Sequence, residues 1–507
     1  MIGKLRKIAF SRLFLVGLAI LLQLALFFIM LSSLNEYSKV FNTVMRIVSL
    51  SVIITVLNRN MTAESKIPWI IVILILPLIG TAMYLAFSEV KMPKKQKKLF
   101  HTINISLADN FNNEIENRNE IIDETGEYKG LCNYIFNTTL QLPYKNTDTK
   151  FFSVGELFFE DLLMELKKAK KFIFMEYFII GHGYMWDSIY DILKQKAQQG
   201  VEIRIMYDDL GSVSTLKSDF AKNLNKQQIR CIKFHPFIPV ISEVHNNRDH
   251  RKITVIDGKC AFVGGINIAD EYINKKDRFG HWKDTAVKVK GDAVKSITAM
   301  YLQMYGIQNG KTEEYEEYLI NKSCDSKGFV VPFGDGPKPA YIQHISENVI
   351  LNLINNSKKY IWITSPYLIV DGKMINALTS AALRGVDVRI VTPHIPDKKT
   401  IFAITRSYYS KLIKEGVKIY EYNPGFIHAK QIVCDDKIAM IGTVNLDYRS
   451  LIHHYECSVL LIGTDTVNDI YNDFKDIFTK STDMKDFKQN KFVSTFCRFL
   501  SAFTPLL

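Results

Sequence analysis

His250-Arg251-Lys252-Ile253-Thr254-Val255-Ile256-Asp257-Gly258 and His428-Ala429-Lys430-Gln431-Ile432-Val433-Cys434-Asp435-Asp436 carry the same pattern, H-x-K-x4-D, and the second copy begins 178 residues after the first. An asparagine follows each histidine by 17 residues, Asn267 after His250 and Asn445 after His428. Each stretch has the β-branched, apolar composition of a strand and ends in a turn. In a strand, residues i and i+2 share a face. His250 therefore projects with Lys252, and His428 with Lys430. Phe262-Val263-Gly264-Gly265-Ile266-Asn267 and Met440-Ile441-Gly442-Thr443-Val444-Asn445 follow as a second strand and a small-residue turn, which lets backbone and Asn approach a ligand closely.

Around these motifs the chain repeats itself. Ala169-Lys170-Lys171-Phe172-Ile173-Phe174 is matched by Ser357-Lys358-Lys359-Tyr360-Ile361-Trp362, a helix end running into a buried strand. Gly200-Val201-Glu202-Ile203-Arg204-Ile205 is matched by Gly385-Val386-Asp387-Val388-Arg389-Ile390, a helix stopped by Gly and then a parallel strand. The expectation is a duplicated α/β lobe, residues 151–325 and 326–507, each a mostly parallel or mixed sheet flanked by helices. Gly, Pro and Asp cluster at the junction, residues 323–339. Residues 93–150 are polar and Asn-rich and read as a linker with some helix.

Two imidazoles, two ammonium groups and two amides suit one phosphodiester. Lys252 and Lys430 neutralise its non-bridging oxygens, and Asn267 and Asn445 donate hydrogen bonds to them. One neutral His attacks phosphorus while the other, protonated, serves the departing alcohol. Both roles are open to imidazole near neutral pH. A carboxylate would orient each ring. Asp284 and Glu456 are candidates, and the competing reading makes them ordinary strand-edge charges. Asp257 and Asp435 count with the catalytic motif by pattern, but their turn positions predict a structural role. His245, His453 and His454 are read as non-ligands. No convergent His/Cys set is present, so neither metal nor cofactor is expected.

Composition frames the partners. The 507 residues exceed one average domain, 47% are apolar, and the net charge is +12, which favours anionic partners, either nucleic acid or an anionic membrane. Seven Cys without C-x-x-C spacing suit a reducing compartment. Residues 13–34 are uncharged and long enough to span a bilayer, and 67–87 form a second such stretch; residues 1–92 are thus expected to form a transmembrane hairpin. Residues 39–59 fit either a third span or an interfacial helix. Lys4, Arg6, Lys7 and Arg12 precede the first stretch and Lys91, Lys94, Lys95, Lys97 and Lys98 follow the second. Basic clusters prefer the cytoplasmic side, which requires an even number of crossings and puts the lobes in the cytoplasm. Phe492, Phe496, Phe499, Leu500 and Phe503 recur at helical spacing at the carboxyl end, as an interfacial helix facing the membrane or one docked on the core.

The paired motif and its Asn resemble the phospholipase D superfamily. Asn247-Arg248-Asp249-His250-Arg251-Lys252, Gly264-Gly265-Ile266-Asn267-Ile268-Ala269-Asp270-Glu271-Tyr272, Pro424-Gly425-Phe426-Ile427-His428-Ala429-Lys430 and Gly442-Thr443-Val444-Asn445-Leu446-Asp447-Tyr448-Arg449-Ser450 narrow this to bacterial cardiolipin synthases, as do Pro77-Leu78-Ile79-Gly80 and Ser365-Pro366-Tyr367. The resemblance implies two tandem phospholipase D-like lobes about a pseudo-two-fold. It also implies transfer of a phosphatidyl group between two phosphatidylglycerol molecules, giving cardiolipin and glycerol through a phosphohistidine. Superfamily precedent favours His250 as nucleophile, with His428 as general acid and then base. The phosphodiester exchange needs no nucleotide, and neither a P-loop nor a D-G-x2-A-R motif occurs. The rival readings are a membrane-bound hydrolase using the same site, another phosphatidyl transferase, a nuclease, which the apolar anchor and tail disfavour, and an inactive scaffold, which the intact motifs disfavour.

Overall fold

The computed structural model describes residues 25, 39–59, 61–87, 94–236, 246–338, 340–501 and 503. The first lobe is built on β1 (Thr147–Phe152), β2 (Phe172–Tyr177), β3 (Glu202–Asp208), β4 (Ile229–Phe234), β5 (Lys252–Ile256), β6 (Cys260–Gly264) and β7 (Ala286–Gly291), in the order β1-β7-β6-β5-β2-β3-β4. The second uses β8 (Phe329–Asp335), β9 (Tyr360–Thr364), β11 (Asp387–Pro393), β12 (Lys418–Tyr422), β13 (Gln431–Cys434), β14 (Ile438–Gly442), β16 (Glu456–Ile462) and β17 (Ser481–Asp483). Its order, read from β8, is β8-β16-β14-β13-β9-β11-β12-β17. The two orders correspond strand for strand, with β17 added at one edge. A small separate pair joins β10 (Leu368–Ile369) to β15 (Leu446–Asp447).

Each sheet is mixed. In the first, β2, β3 and β4 run parallel, while β5, β6, β7 and β1 pair antiparallel. The second repeats this, with β9, β11 and β12 parallel and β13, β14 and β16 antiparallel. The motif strands β5 and β13 are central and buried along their length, so nearly every residue is apolar and the period-2 alternation fades. The lobes share one core: Phe174, Val255 and Val287 from the first cluster with Val331, Ile361 and Val459 from the second.

Residues 93–150 differ from the linker reading. Helices Lys94–Asp109, Asn112–Glu116, Arg118–Asp123 and Lys129–Thr139 occupy much of this stretch, and β1 extends the first sheet. Ile103, Leu107, Phe111, Ile122, Leu131, Cys132, Ile135 and Phe136 are buried in the shared core. A narrow apolar stripe on otherwise polar helices accounts for the polar composition.

Of the two stretches of the expected membrane hairpin, the second lies among the described residues. Residues 13–34 lie outside the described residues except for position 25. Residues 67–87 do not form one rod: helix Ala63–Ile75 ends at Leu76, and helix Pro77–Phe87 folds back along it. Trp69 and Tyr84 meet edge to face at 5.4 Å between centroids. Gly80 permits the close approach, since a Cβ there would lie 2.5 Å from the Val72 carbonyl oxygen. Pro77 has no N–H to continue the first helix, and its ring disfavours helical backbone at Leu76. Among the described residues no helix is long and apolar enough to cross a membrane. Residues Lys39–Asn58 form a single helix packed on this hairpin. The carboxyl-terminal helix Lys491–Ser501 docks through Cys497 and Leu500 onto Ile404 and Tyr408, yet leaves Phe492 80% and Phe499 60% exposed.

Candidate active site

His250 stands just before β5 and His428 just before β13, at corresponding ends of equivalent strands. Two short cross-lobe bridges bring these ends together. Asp249 pairs with Tyr455, and Ile427 pairs with Lys283. In each bridge the residue before a motif histidine pairs with the residue before a carboxylate of the other lobe, a reciprocal exchange that a two-fold relation produces. The His250 N–H donates to the Tyr455 carbonyl at 2.9 Å, and the His428 N–H to the Lys283 carbonyl at 2.7 Å.

The consequence is a crossed pair of orienting groups. His250 Nδ1 lies 3.0 Å from both carboxylate oxygens of Glu456. His428 Nδ1 lies 2.5 Å from Asp284 Oδ2. A carboxylate accepts, so each Nδ1 carries its proton and each Nε2 keeps its lone pair. Both carboxylates are fully buried. Glu456 also accepts from the hydroxyls of Thr443 and Ser450. Asp284 Oδ1 accepts from the Thr285 N–H at 2.9 Å. Gly265, the counterpart of Thr443, makes room for this shorter acid: a Cβ there would fall 2.1 Å from Asp284 Oδ1. Gly265 in the small-residue turn thus admits a carboxylate.

Lys252 and Lys430 are buried, and each ammonium donates to the backbone carbonyl of its own motif histidine. Burial pushes Lys252 down to about 8 and Lys430 down to about 7. Burial also lowers both histidines, reinforced by the lysines: His428 falls to about 4, and His250 lies well below its usual range. Asp284 pulls His428 in the opposite direction. His428 packs against Trp282, Tyr272 and Phe426, and His250 against Phe178.

The two asparagines are held differently. Asn267 Oδ1 accepts from the Ile179 N–H at 2.9 Å and its Nδ2 donates to the Tyr272 hydroxyl at 2.8 Å, which leaves one N–H. Asn445 is fixed through its backbone N–H to Ser450 Oγ at 2.8 Å, while its Oδ1 is buried without a partner.

Asp257 and Asp435 are not with these groups, which corrects their place in the catalytic set. They lie at the opposite ends of the motif strands, about 20 Å of chain from the histidines. Asp257 accepts from the N–H groups of Lys170, Lys171 and Phe172; Asp435 accepts from those of Lys358, Lys359 and Tyr360. Both adopt φ +53°, the left-handed turn conformation that Asp tolerates better than most residues. They clamp the start of β2 and of β9.

Other neighbours carried weak signals in the sequence. Arg248 forks onto Asp208 at 2.8–3.0 Å and Arg251 meets Glu176 at 2.6 Å, so buried ion pairs flank His250 on both sides. A five-residue π-helical turn, Arg449–His453, places His454 beside the site, its ring 5.3 Å from that of His250. His245 lies outside the described residues.

A family model described as "Cardiolipin synthase, PLD-like domain" matches residues 162–291 and 350–478, and one described as "Phospholipase_D-nuclease N-terminal" matches 47–89. An "Uncharacterized protein" of Streptococcus mutans serotype c is 42% identical over 431 residues, covering 85% of this chain and 93% of that one. "Cardiolipin synthase 2" of Bacillus cereus is 36% identical over 84% of this chain and 83% of its own. "Cardiolipin synthase" of Geobacillus sp. (strain WCH70) is 34% identical over 91% and 92%. The crystal structure of phosphatidylserine synthase from Haemophilus influenzae Rd KW20 superposes with TM-score 0.58 at 13% identity, covering 76% of this chain and all of that one, a likeness of fold. The duplicated sheets, the paired motifs and these matches together place the chain in the cardiolipin synthase family with phospholipase D-like domains.

Proposed function

We propose that the chain is a phosphatidyltransferase that joins two phosphatidylglycerol molecules into cardiolipin and glycerol. The observation that carries this reading is the crossed carboxylate pairing, which leaves two Nε2 lone pairs at one interface with two ammonium groups. His250 Nε2 attacks the phosphorus of the first lipid. The P–O bond to the glycerol headgroup breaks, and His428, protonated with the substrate bound, gives its proton to the departing alkoxide. His428 then removes the proton from a headgroup hydroxyl of the second lipid. That oxygen attacks the phosphohistidine and releases His250. Asp284 raises the proton affinity of His428, which suits it to the acid role. Lys252, Lys430, the free N–H of Asn267 and the side-chain amide of Asn445 hold the non-bridging oxygens.

The lobes work at the lipid surface on the cytoplasmic side of the cell membrane. Exposed Leu74, Ile75 and Leu85 of the folded-back hairpin and Phe492, Phe496 and Phe499 of the terminal helix offer apolar surface to lipid. Glu64 and Thr62, at the start of the hairpin, reach Gly372 and Tyr448 of the second lobe, and Tyr448 is three residues from Asn445 in sequence. Lys94, Lys95, Lys97 and Lys98, which open the next helix, suit an anionic leaflet.

Purified protein in detergent with phosphatidylglycerol as its lipid substrate tests the reading. Cardiolipin and glycerol in equal amounts support it; phosphatidic acid alone makes the protein a hydrolase. Labelled lipid with His250→Ala and His428→Ala fixes the nucleophile: an adduct trapped in His250→Ala and absent from His428→Ala reverses the assignment.

A further inference from the structure

His454 Nδ1 is buried and makes no hydrogen bond. It sits 3.6 Å from Glu456 Oε1, too far for a hydrogen bond, and the same oxygen is 3.0 Å from His250 Nδ1. The three donor atoms of His250, His454 and Glu456 lie within 4.8 Å of one another. Two imidazoles and a carboxylate are a common ligand set for Zn²⁺, which takes N and O ligands at about 2.0–2.2 Å in tetrahedral geometry. That geometry sets neighbouring ligand atoms roughly 3.3 Å apart. The two measured separations fall on either side of this value, so small side-chain adjustments would close the set around an ion.

We propose that these three residues form an inhibitory site for a divalent transition-metal ion, Zn²⁺ in the first instance. The ion would replace the proton on His250 Nδ1 and take the place of the hydrogen bond to Glu456. A neutral His250 ring ligated through Nδ1 must carry its proton on Nε2, so the lone pair assigned to phosphorus is gone. Metal binding thus reverses the tautomer that Glu456 imposes and blocks the transfer without occupying the phosphate position. His454 contributes nothing to the phosphate contacts. Its unpartnered nitrogen, aimed at an oxygen that already serves His250, is what makes the site chelating.

The inhibition rests on the reading of His250 as nucleophile; the binding does not, and the experiment separates them. Purified full-length protein without a polyhistidine tag is titrated in detergent with Co²⁺. The expected result is one equivalent bound, with the visible bands of a four-coordinate ion, displaced by Zn²⁺. His454→Asn should keep metal-free transfer within about twofold and require about tenfold or more Zn²⁺ for the same inhibition. Absence of Co²⁺ bands in the wild type, or unchanged Zn²⁺ sensitivity in His454→Asn, overturns the proposal. Co²⁺ bands that vanish in His454→Asn, in a protein with no transfer activity even when metal-free, would uphold the metal site and reject the function assigned above.

Discussion

Glu456 and His250 stand in different lobes, 206 residues apart, yet both carboxylate oxygens lie 3.0 Å from the imidazole Nδ1. Asp284 and His428 make the reciprocal pair. Each half of the repeat therefore supplies one imidazole and the carboxylate that orients the imidazole of the other half.

Glu456→Gln keeps shape and burial but removes the charge that selects the Nδ1–H tautomer. The expected loss in kcat is about 10²- to 10⁴-fold with little change in KM, by analogy with other His–carboxylate pairs. The covalent adduct should form correspondingly slowly. Rapid-quench measurement of adduct formation checks this; a normal adduct rate would show that Glu456 does not orient His250.

Asp257→Ala should act on stability and leave the chemistry alone. It strips acceptors from three backbone N–H groups at the start of β2. The cost should be about 2–4 kcal/mol. Thermal unfolding should shift down, while kcat per folded molecule stays within a few-fold. A large kcat loss in well-folded Asp257→Ala would return this residue to the chemistry.

Gly265→Ala would place a Cβ 2.1 Å from Asp284 Oδ1, so the carboxylate has to move away from His428. Overpacking of this kind costs about 1–3 kcal/mol. The catalytic loss should be larger than the stability loss implies, because the carboxylate paired with His428 is the group disturbed. Activity measured beside the unfolding midpoint decides the matter, and an active, merely destabilised protein would contradict it.

Binding of sulfate, an anion that does not itself titrate near neutral pH, should draw protons from solution. With Lys430 near 7 and Lys252 near 8 in the free site, together they carry about one proton of two at pH 7.5. An anion between them raises both, so about one proton is taken up there, and fewer as pH falls towards 6, where both are already charged. The same sign makes sulfate affinity weaken as pH rises through 7 to 8. Calorimetry in buffers of different ionisation heat measures the uptake; buffer-independent heats at pH 7.5 would refute it.

Much of this was legible in the chain itself. The spacing of His250, Lys252 and Asn267 against His428, Lys430 and Asn445 announced the repeat, and the paired strands around it set the α/β lobes. Asp284 and Glu456 were candidates in the chain, but their crossing was not legible, because only the docking of one lobe on the other decides which histidine each meets. Some helix within residues 93–150 was expected, but its packing into the shared core was hidden by polar composition, since one buried residue per turn suffices to anchor it. The fold-back at Pro77 was written in the sequence but outweighed by the apolar run around it. His454 came into the site through a π-helical turn, a local register change that no periodicity reports.

The crossed pairing also sets when the protein becomes active. Chains leave the ribosome amino end first, so His250 emerges long before residue 456 exists. A chain made only through the first motif holds an imidazole whose tautomer Glu456 does not yet fix. Competence arrives only with the last strands of the second sheet and the closing of the interface. An imidazole of the first motif thereby waits for a carboxylate made 206 residues later.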